Sequence, residues 1–333
     1  MKKTILALSL FFSLMGIIRS FIFVFYNFED ITEFLNFILF DIQAYDYAGM
    51  TIYIPRHPIH GIEGGRVSME LLNLSFFLTF LSGTFIYYFS KYKETKLLAF
   101  NYGLVFLGSI LKTGSFILFF NFEKLNFYTV FYIAITLLYI FMSYQFITKE
   151  LNSNGIEDDI QLTENKLENA SNTKRFLNLF IDSFIILAIV FGYIKYADRM
   201  DGVTTYYNYF KSAFGDQFAG IAFYWTFKFI YYLLFESVFK TTPAKFITSC
   251  YITDEEGNPP SFQMILKRTL LRFVPFESFS FLLGKNLHDD YSDTYVINKK
   301  TDHKIENQYT QFLAISFGIV LVVYLTMFNR DFY

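Results

Sequence analysis

In the apolar run KRFLNLFIDSFIIL, Lys174 to Leu187, Arg175, Asn178 and Asp182 recur at i, i+3 and i+7. On a helix that spacing forms one polar stripe on a surface otherwise made of Leu, Ile and Phe. An ionised group among such neighbours must face inward and be answered there, because an unpaired charge in hydrocarbon is expensive. Two kinds of chemistry are open to it. Asn178, Asp182 and the adjacent Ser183 offer oxygen ligands of the kind hard cations accept, and a carboxylate shielded from water can exchange a proton. The same groups can instead be a static lock, with Asp182 answered by Arg175 or by Lys228 from a later apolar segment.

Other clusters are weaker. His57 and His60 in PRHPIHGIEGG lack a fixed third ligand, and the surrounding Pro and Gly signal a surface loop rather than a metal site. His288, Asp289 and Asp290 could hold a metal or act as a base, but clustered acids in a loop are more often solvated or capping. Two aspartates also invite an intramembrane protease, yet that chemistry needs both acids at membrane depth, and Asp289 is expected in a loop. Neither a Ser-His-Asp nor a Cys-His constellation is found in the apolar segments, and the chain has no glycine-rich phosphate loop. We therefore expect no enzyme, no metal and no cofactor. The single cysteine, Cys250, excludes an intrachain disulfide framework. A net charge of −2 gives no reason to expect nucleic acid as a partner.

The elements that must position the stripe follow from composition. In 333 residues, 53% are hydrophobic, 22% aromatic and 17% charged, which makes lipid the expected solvent. Apolar windows long enough to cross fall at Thr4 to Tyr26, Leu71 to Ser90, Leu97 to Phe120, Phe127 to Ile147, Phe176 to Ile194, Ala219 to Phe239 and Gln311 to Phe328. The expected fold is an all-α polytopic membrane protein of about seven transmembrane helices, with a short cytoplasmic β-hairpin and an interfacial amphipathic helix. The start, MKKTILALSLFFSLMGII, lacks a small-x-small cleavage site before Arg19 and reads as an uncleaved first span. Placing the N-terminus in the cytoplasm puts most of the 28 Lys and Arg residues on the inner side, as the positive-inside rule asks of the plasma (inner) membrane.

In the first outer segment, ITEFLNFILF is too short to cross and should lie on the outer surface. Arg19 is expected to reach the headgroups, while Lys112 is deeper and has either a snorkelling or a functional reading. From Lys149 to Thr173, Glu, Asp, Asn and Ser dominate without apolar period, marking a flexible cytoplasmic linker. It divides a four-helix part, 1–148, from a second membrane part, 174–300, with a last helix at 301–333. The two halves share no internal repeat, which leaves an inverted-repeat transporter unsupported.

The second part carries an ordered set of motifs. Arg175 opens a helix that contains Asp182. LLFESVFKTTPAK then places Glu236 before a corner of Thr242, Pro243 and Lys245. KFITSCYITDEEGNPPSFQMILKRTLLRFVPF gives a strand, an acidic Gly turn and a basic helix with Arg268 and Arg272, and LHDDYSDTYVI closes with His288, Asp289, Ser292 and Thr294. This series resembles the RDD family of membrane proteins, named for one arginine and two aspartates, over Lys174 to about Ile297. Ala244 stands where the family usually has glycine and Leu287 where it usually has tryptophan. RFVPFESFSFLLG, interrupted by Pro275, is shorter than the third span many members have. The resemblance implies cation/proton exchange, reported of some members, and places Arg175, Asp182, Glu236 and Asp289 in the family motif; Asn178 of the polar stripe and Lys228, the candidate partner of Asp182, join them as transport candidates on the residues' own chemistry. The alternative is a non-catalytic membrane scaffold or assembly partner in which the same charges are structural locks.

Tyr251 to Gly257 reads as a strand entering a turn, paired with Tyr295 to Ile297. Ser261 to Val274 reads as an amphipathic helix on the inner surface, presenting Lys267, Arg268 and Arg272 to anionic lipid. The partners expected are membrane lipids, small cations and protons, and a membrane protein or a second copy of the chain. We predict that in intact cells, in a Cys250→Ser background, an impermeant thiol reagent labels Asn208→Cys and reaches Asn154→Cys only after permeabilisation. The opposite pattern would invert the topology.

Overall fold

The computed structural model describes residues 2–25, 64–118, 127–153, 169–196, 201–274, 287–298, 311, 315–316 and 318. The helices are α1 (Lys2–Phe25), α2 (Gly64–Phe89), α3 (Lys96–Leu118), α4 (Phe127–Ser153), α5 (Asn172–Tyr196) and α6 (Asp201–Phe239). After them come α7 (Pro243–Thr248), β1 (Cys250–Thr253), α8 (Phe262–Leu271), α9 (Leu287–Ser292) and β2 (Tyr295–Asn298). Six of the seven apolar windows are thus helices. The seventh lies mostly outside the described residues, as do ITEFLNFILF, His57, His60, the side chain of Lys112 and most of the linker. Among the described residues, Lys2–Phe21 and Phe218–Phe239 are long and apolar enough to cross a membrane. The chain forms two compact units, one of Met1–Phe146 with Asp302–Tyr333, the other of Ile147–Thr301.

In the first unit α1 packs on α2 and α2 on α3. Its interior is tiled with aromatic rings: Phe80 meets Tyr102 edge-on at 5.3 Å and Tyr102 lies 4.7 Å from Phe146. Small hydroxyl residues share this interior. Ser9 and Tyr102 are hydrogen-bonded at 2.8 Å, and Ser82 meets Ser316 at 2.5 Å. Small and hydroxylated side chains at helix contacts let backbones approach where hydrophobic exclusion offers no driving force. Arg19, expected at the headgroups, is buried instead.

The second unit turns the usual amphipathic pattern inside out. On α5, Arg175, Asn178 and Asp182 are buried, while Phe176, Leu177, Phe180 and Phe184 face outward. That is the arrangement suited to lipid and costly in water. Helix α6 is broken at Gly215, whose φ of +79° suits a residue without Cβ. Thr242 caps α7, accepting from the Lys245 amide at 3.4 Å, and Pro243 occupies the first turn, where its missing N–H costs nothing.

Strands β1 and β2 pair antiparallel with Cys250 opposite Asn298 and Thr253 opposite Tyr295. The expected pairing is present, but α8 and α9 lie between the strands, so it is a ribbon closed by a long connection rather than a hairpin. Ala170 donates to the Val296 carbonyl at 2.8 Å, tying the entry of α5 to β2.

A Cβ on Gly16 would overlap the Phe77 ring, whereas one on Gly114 meets open space. Gly16→Ala should therefore lower the stability of the detergent-solubilised protein by about 1–3 kcal/mol through overpacking. Gly114→Ala should be neutral or stabilising by up to about 1 kcal/mol, because it relieves only the helix cost of glycine. Thermal unfolding of the two variants checks the pair.

Candidate functional site

Three acids lie almost wholly out of solvent in the second unit: Asp182 at 1% exposure, Glu236 at 0% and Asp289 at 1%. Each is answered from several elements. Asp182 projects from α5 and accepts from the Tyr231 hydroxyl of α6 at 2.6 Å and the Thr242 hydroxyl at 2.7 Å. The Ala244 amide adds a third donor at 3.3 Å. The Thr-Pro-Ala-Lys corner is thereby explained residue by residue: Thr242 caps its helix while donating to Asp182, and Ala244 offers a first-turn amide that the helix itself leaves unpaired. Lys245 then reaches back to Glu236 at 2.7 Å.

Glu236 is gripped from a second side by Arg272 of the α8 C-cap. The guanidinium is bidentate, Nη1 to Oε2 at 3.0 Å and Nη2 to Oε1 at 2.7 Å, and it stacks on the Tyr232 ring at 3.9 Å. Asp289, on α9, is held by Arg175 of α5 and Arg268 of α8. Arg268 also donates to Thr294 at 2.7 Å, Ser292 and Thr294 are hydrogen-bonded at 2.7 Å, and Ser292 donates to the His288 carbonyl at 2.5 Å. Arg175 uses its Nε for the Ala170 carbonyl at 3.1 Å.

Several expectations change. Asp182 pairs with neither Arg175 nor Lys228; it takes neutral donors, while Arg175 goes to Asp289 and Lys228 donates to the Arg272 carbonyl at 3.2 Å. The first arginine and second aspartate of the motif are thus partners, separated by 114 positions in the chain. Asp289 is neither solvated nor in a loop but buried on a short helix. Arg268 and Arg272 do not face lipid: Ile265, Arg268, Thr269 and Arg272 form the buried face of α8, and Lys267 is exposed on the other. Two carboxylates without water attract both arginines more strongly than lipid phosphates in contact with solvent can.

Tyr231, Thr242 and Thr294 were not singled out as site residues by the sequence. A Ser/Thr before Pro is an N-cap signal, so Thr242 had a detectable signature. Thr294 stood in the closing motif without an assigned role, and Tyr231 had no signal, since a hydroxyl becomes a ligand of a buried acid only through tertiary placement.

Burial lowers the Lys245 ammonium, Glu236 pulls it back up, and Arg272 and Arg268 depress it again, to about 8. Burial pushes Asp289 up, but Arg268, His288 and Arg175 together hold it below the ordinary carboxylate range. Beside these groups lies a partly open pocket of about 60 Å³, lined by Arg175, Asn178, Asp182, Lys228, Arg268 and Arg272 among others. It has room for a few waters or one small polyatomic ion.

Because folding lowers the pKa of Asp289, its stabilisation is fully present above the unfolded value of about 4 and is lost as pH falls below it. Asp289→Asn should cost about 3–5 kcal/mol at neutral pH, as expected for leaving buried cations unanswered, and should shrink the loss of stability on acidification. Chemical unfolding of wild type and variant from pH 7 to 3 measures both.

Comparison with known proteins bears on the second unit and the residues after it. No curated protein and no solved structure matches the chain. The RDD family model matches residues 169–331, past the closing motif at which the sequence resemblance ended and into the last predicted helix. Residues 169–331 are thus similar to the RDD family, which is membrane-associated, and the residues before them lie outside the match.

Proposed function

We propose that this is a multi-pass protein of the plasma (inner) membrane, with about seven crossings and a cytoplasmic N-terminus, whose RDD region is a non-enzymatic ion-pair scaffold. One observation carries the reading: each of the three buried acids joins separate elements. Asp182 ties α5 to α6 and the corner, Glu236 ties α6 to α7 and α8, and Asp289 ties α9 to α5 and α8. Removing one partner from such a network leaves a buried charge unanswered, so the elements hold together or fail together. The inverted amphipathicity of α5 and the two long apolar helices support placement in a membrane. In this reading the scaffold presents the N-terminal helices to a membrane-protein partner or a second copy of the chain, and Lys267 to anionic lipid.

Cation/proton exchange is the second reading, favoured by Asp182 lining a cavity. Against it stand the three donors already on that carboxylate and the cationic lining around it, which repels a second cation. The scaffold predicts that proteoliposomes containing wild-type protein show no cation flux driven by a pH gradient above that of empty vesicles. It also predicts that Asp182→Asn loses about 1.5–3 kcal/mol of stability, the worth of hydrogen bonds to a charged acceptor. Flux in wild type that disappears in a folded Asp182→Asn variant would establish exchange instead.

A further inference from the structure

Helix α8 carries its arginines inward and its apolar residues outward. Phe262, Leu270 and Val274 are exposed and Leu266 partly so, and Lys267 is the one charged side chain on this outer face. An apolar face of this kind is costly in water, so something must cover it.

Contacts with α6 fix the level at which the face sits. Arg268 lies 3.5 Å from Glu236, Arg272 stacks on Tyr232, and the Phe273 ring meets those of Phe229 at 6.1 Å and Trp225 at 5.9 Å. As α8 advances by a turn its partners on α6 recede by a turn, so the two helices run antiparallel side by side. Residues Phe218–Phe239 of α6 are long and apolar enough to cross a membrane. Phe229 is about 15 Å from the Phe239 end at 1.5 Å per residue, half of a hydrocarbon core about 30 Å thick. The C-terminal end of α8 is therefore level with the middle of that stretch. Its N-terminal end follows an acidic turn whose Glu255 and Glu256 are exposed, which hydrocarbon does not tolerate. By α9 the chain is back at the shallow end, since Asp289 meets Arg175 in the first turn of α5.

The end of α8 is also built for a place without water. A helix leaves its last carbonyls unpaired, and at membrane depth only protein can answer them. The Leu270 carbonyl accepts from the Phe273 amide and that of Leu271 from the Val274 amide, each at 3.0 Å, and the Arg272 carbonyl accepts from Lys228 Nζ at 3.2 Å. A cation is the charge that suits a helix C-terminus. On α6 the exposed Ile221, Trp225 and Ile230 are apolar, and exposed Thr226 turns its hydroxyl onto the Ala222 carbonyl at 2.9 Å. The apolar faces of the two helices join where Trp225 meets Phe273.

We propose that α8 is a re-entrant membrane helix, which enters from the cytoplasmic side, runs along α6 to mid-depth and turns Phe262, Leu266, Leu270 and Val274 to the acyl chains of the lipid. Side chains on a helix tilt toward its N-terminus, so Lys267 reaches back to the anionic headgroups. The inference rests on reading α6 as a crossing. It differs from the flat surface helix expected from the sequence both in depth and in the face turned to lipid.

Two measurements on the full-length protein in vesicles of phosphatidylethanolamine and phosphatidylglycerol test it. Trp225 is the only tryptophan of the chain, so its fluorescence in wild type reports the level at which α8 ends. Brominated phospholipids should quench it most when the bromines lie deep in the acyl chain. Nitroxide spin labels are then placed on Phe262→Cys, Leu270→Cys and Val274→Cys, at exposed positions, in a Cys250→Ser background or in Cys250→Ala if the serine variant does not fold. At Val274 collision with oxygen should exceed that with a water-soluble nickel complex several-fold, and this preference should fall through Leu270 to Phe262. Equal depth at the three positions would make α8 a flat surface helix and overturn the proposal. So would nickel reaching Val274 as readily as oxygen, or exclusion of both, which would mean that a protein partner or a second copy covers the face. Quenching of Trp225 best by bromines near the headgroup, or by none, would refute α6 as a crossing and with it the depth of α8. If Trp225 is deep and the labels are not, the re-entrant helix alone falls.

Discussion

An acid that cannot reach water must find its donors inside the protein, and in the second unit that requirement acts three times within one small volume. The solutions differ. Asp182 is satisfied by hydroxyls and an amide, Glu236 by Lys245 and Arg272, and Asp289 by Arg175 and Arg268. Elements with little apolar surface of their own acquire fixed positions from these contacts. Helix α9, six residues long, could not persist alone, yet Asp289 anchors it to two other helices. Helix α8 is likewise held by its arginines, which is why its apolar Phe262 and Leu270 can face outward.

The parts of this arrangement that local chemistry dictates were readable from the residues alone. Helical spacing put Arg175, Asn178 and Asp182 on one inward face, and the structure buries all three. Six apolar windows became helices, and the β1 and β2 partners were identifiable from β-branched and aromatic residues flanking turn signals. Partner identity was not readable. Arg175 and Asp182 are neighbours on one helix, which makes their pairing the natural guess, but Arg175 meets an aspartate from the far end of the motif series. The orientation of α8 failed for a related reason. A helix with arginines on one face and apolar residues on the other has the same periodicity whether the arginines face lipid headgroups or buried acids. Only the positions of Glu236 and Asp289 choose between them.

The first unit is held by other means. Its interior combines ring contacts with small hydroxyl residues, and Gly16 permits a close approach to Phe77. Such packing suits helices that must associate without water to expel. The family match begins beyond these helices, at residue 169.

If the buried charges act as one lock, a double-mutant cycle on Glu236 and Arg272 must reveal their coupling. Unfolding free energies would be measured in detergent for wild type, Glu236→Gln, Arg272→Met and the double variant. Each single substitution should cost about 3–5 kcal/mol, whereas the double should cost clearly less than their sum, because the second change removes a charge that the first left unanswered. Additive costs, or single substitutions within about 0.5 kcal/mol of wild type, would contradict it.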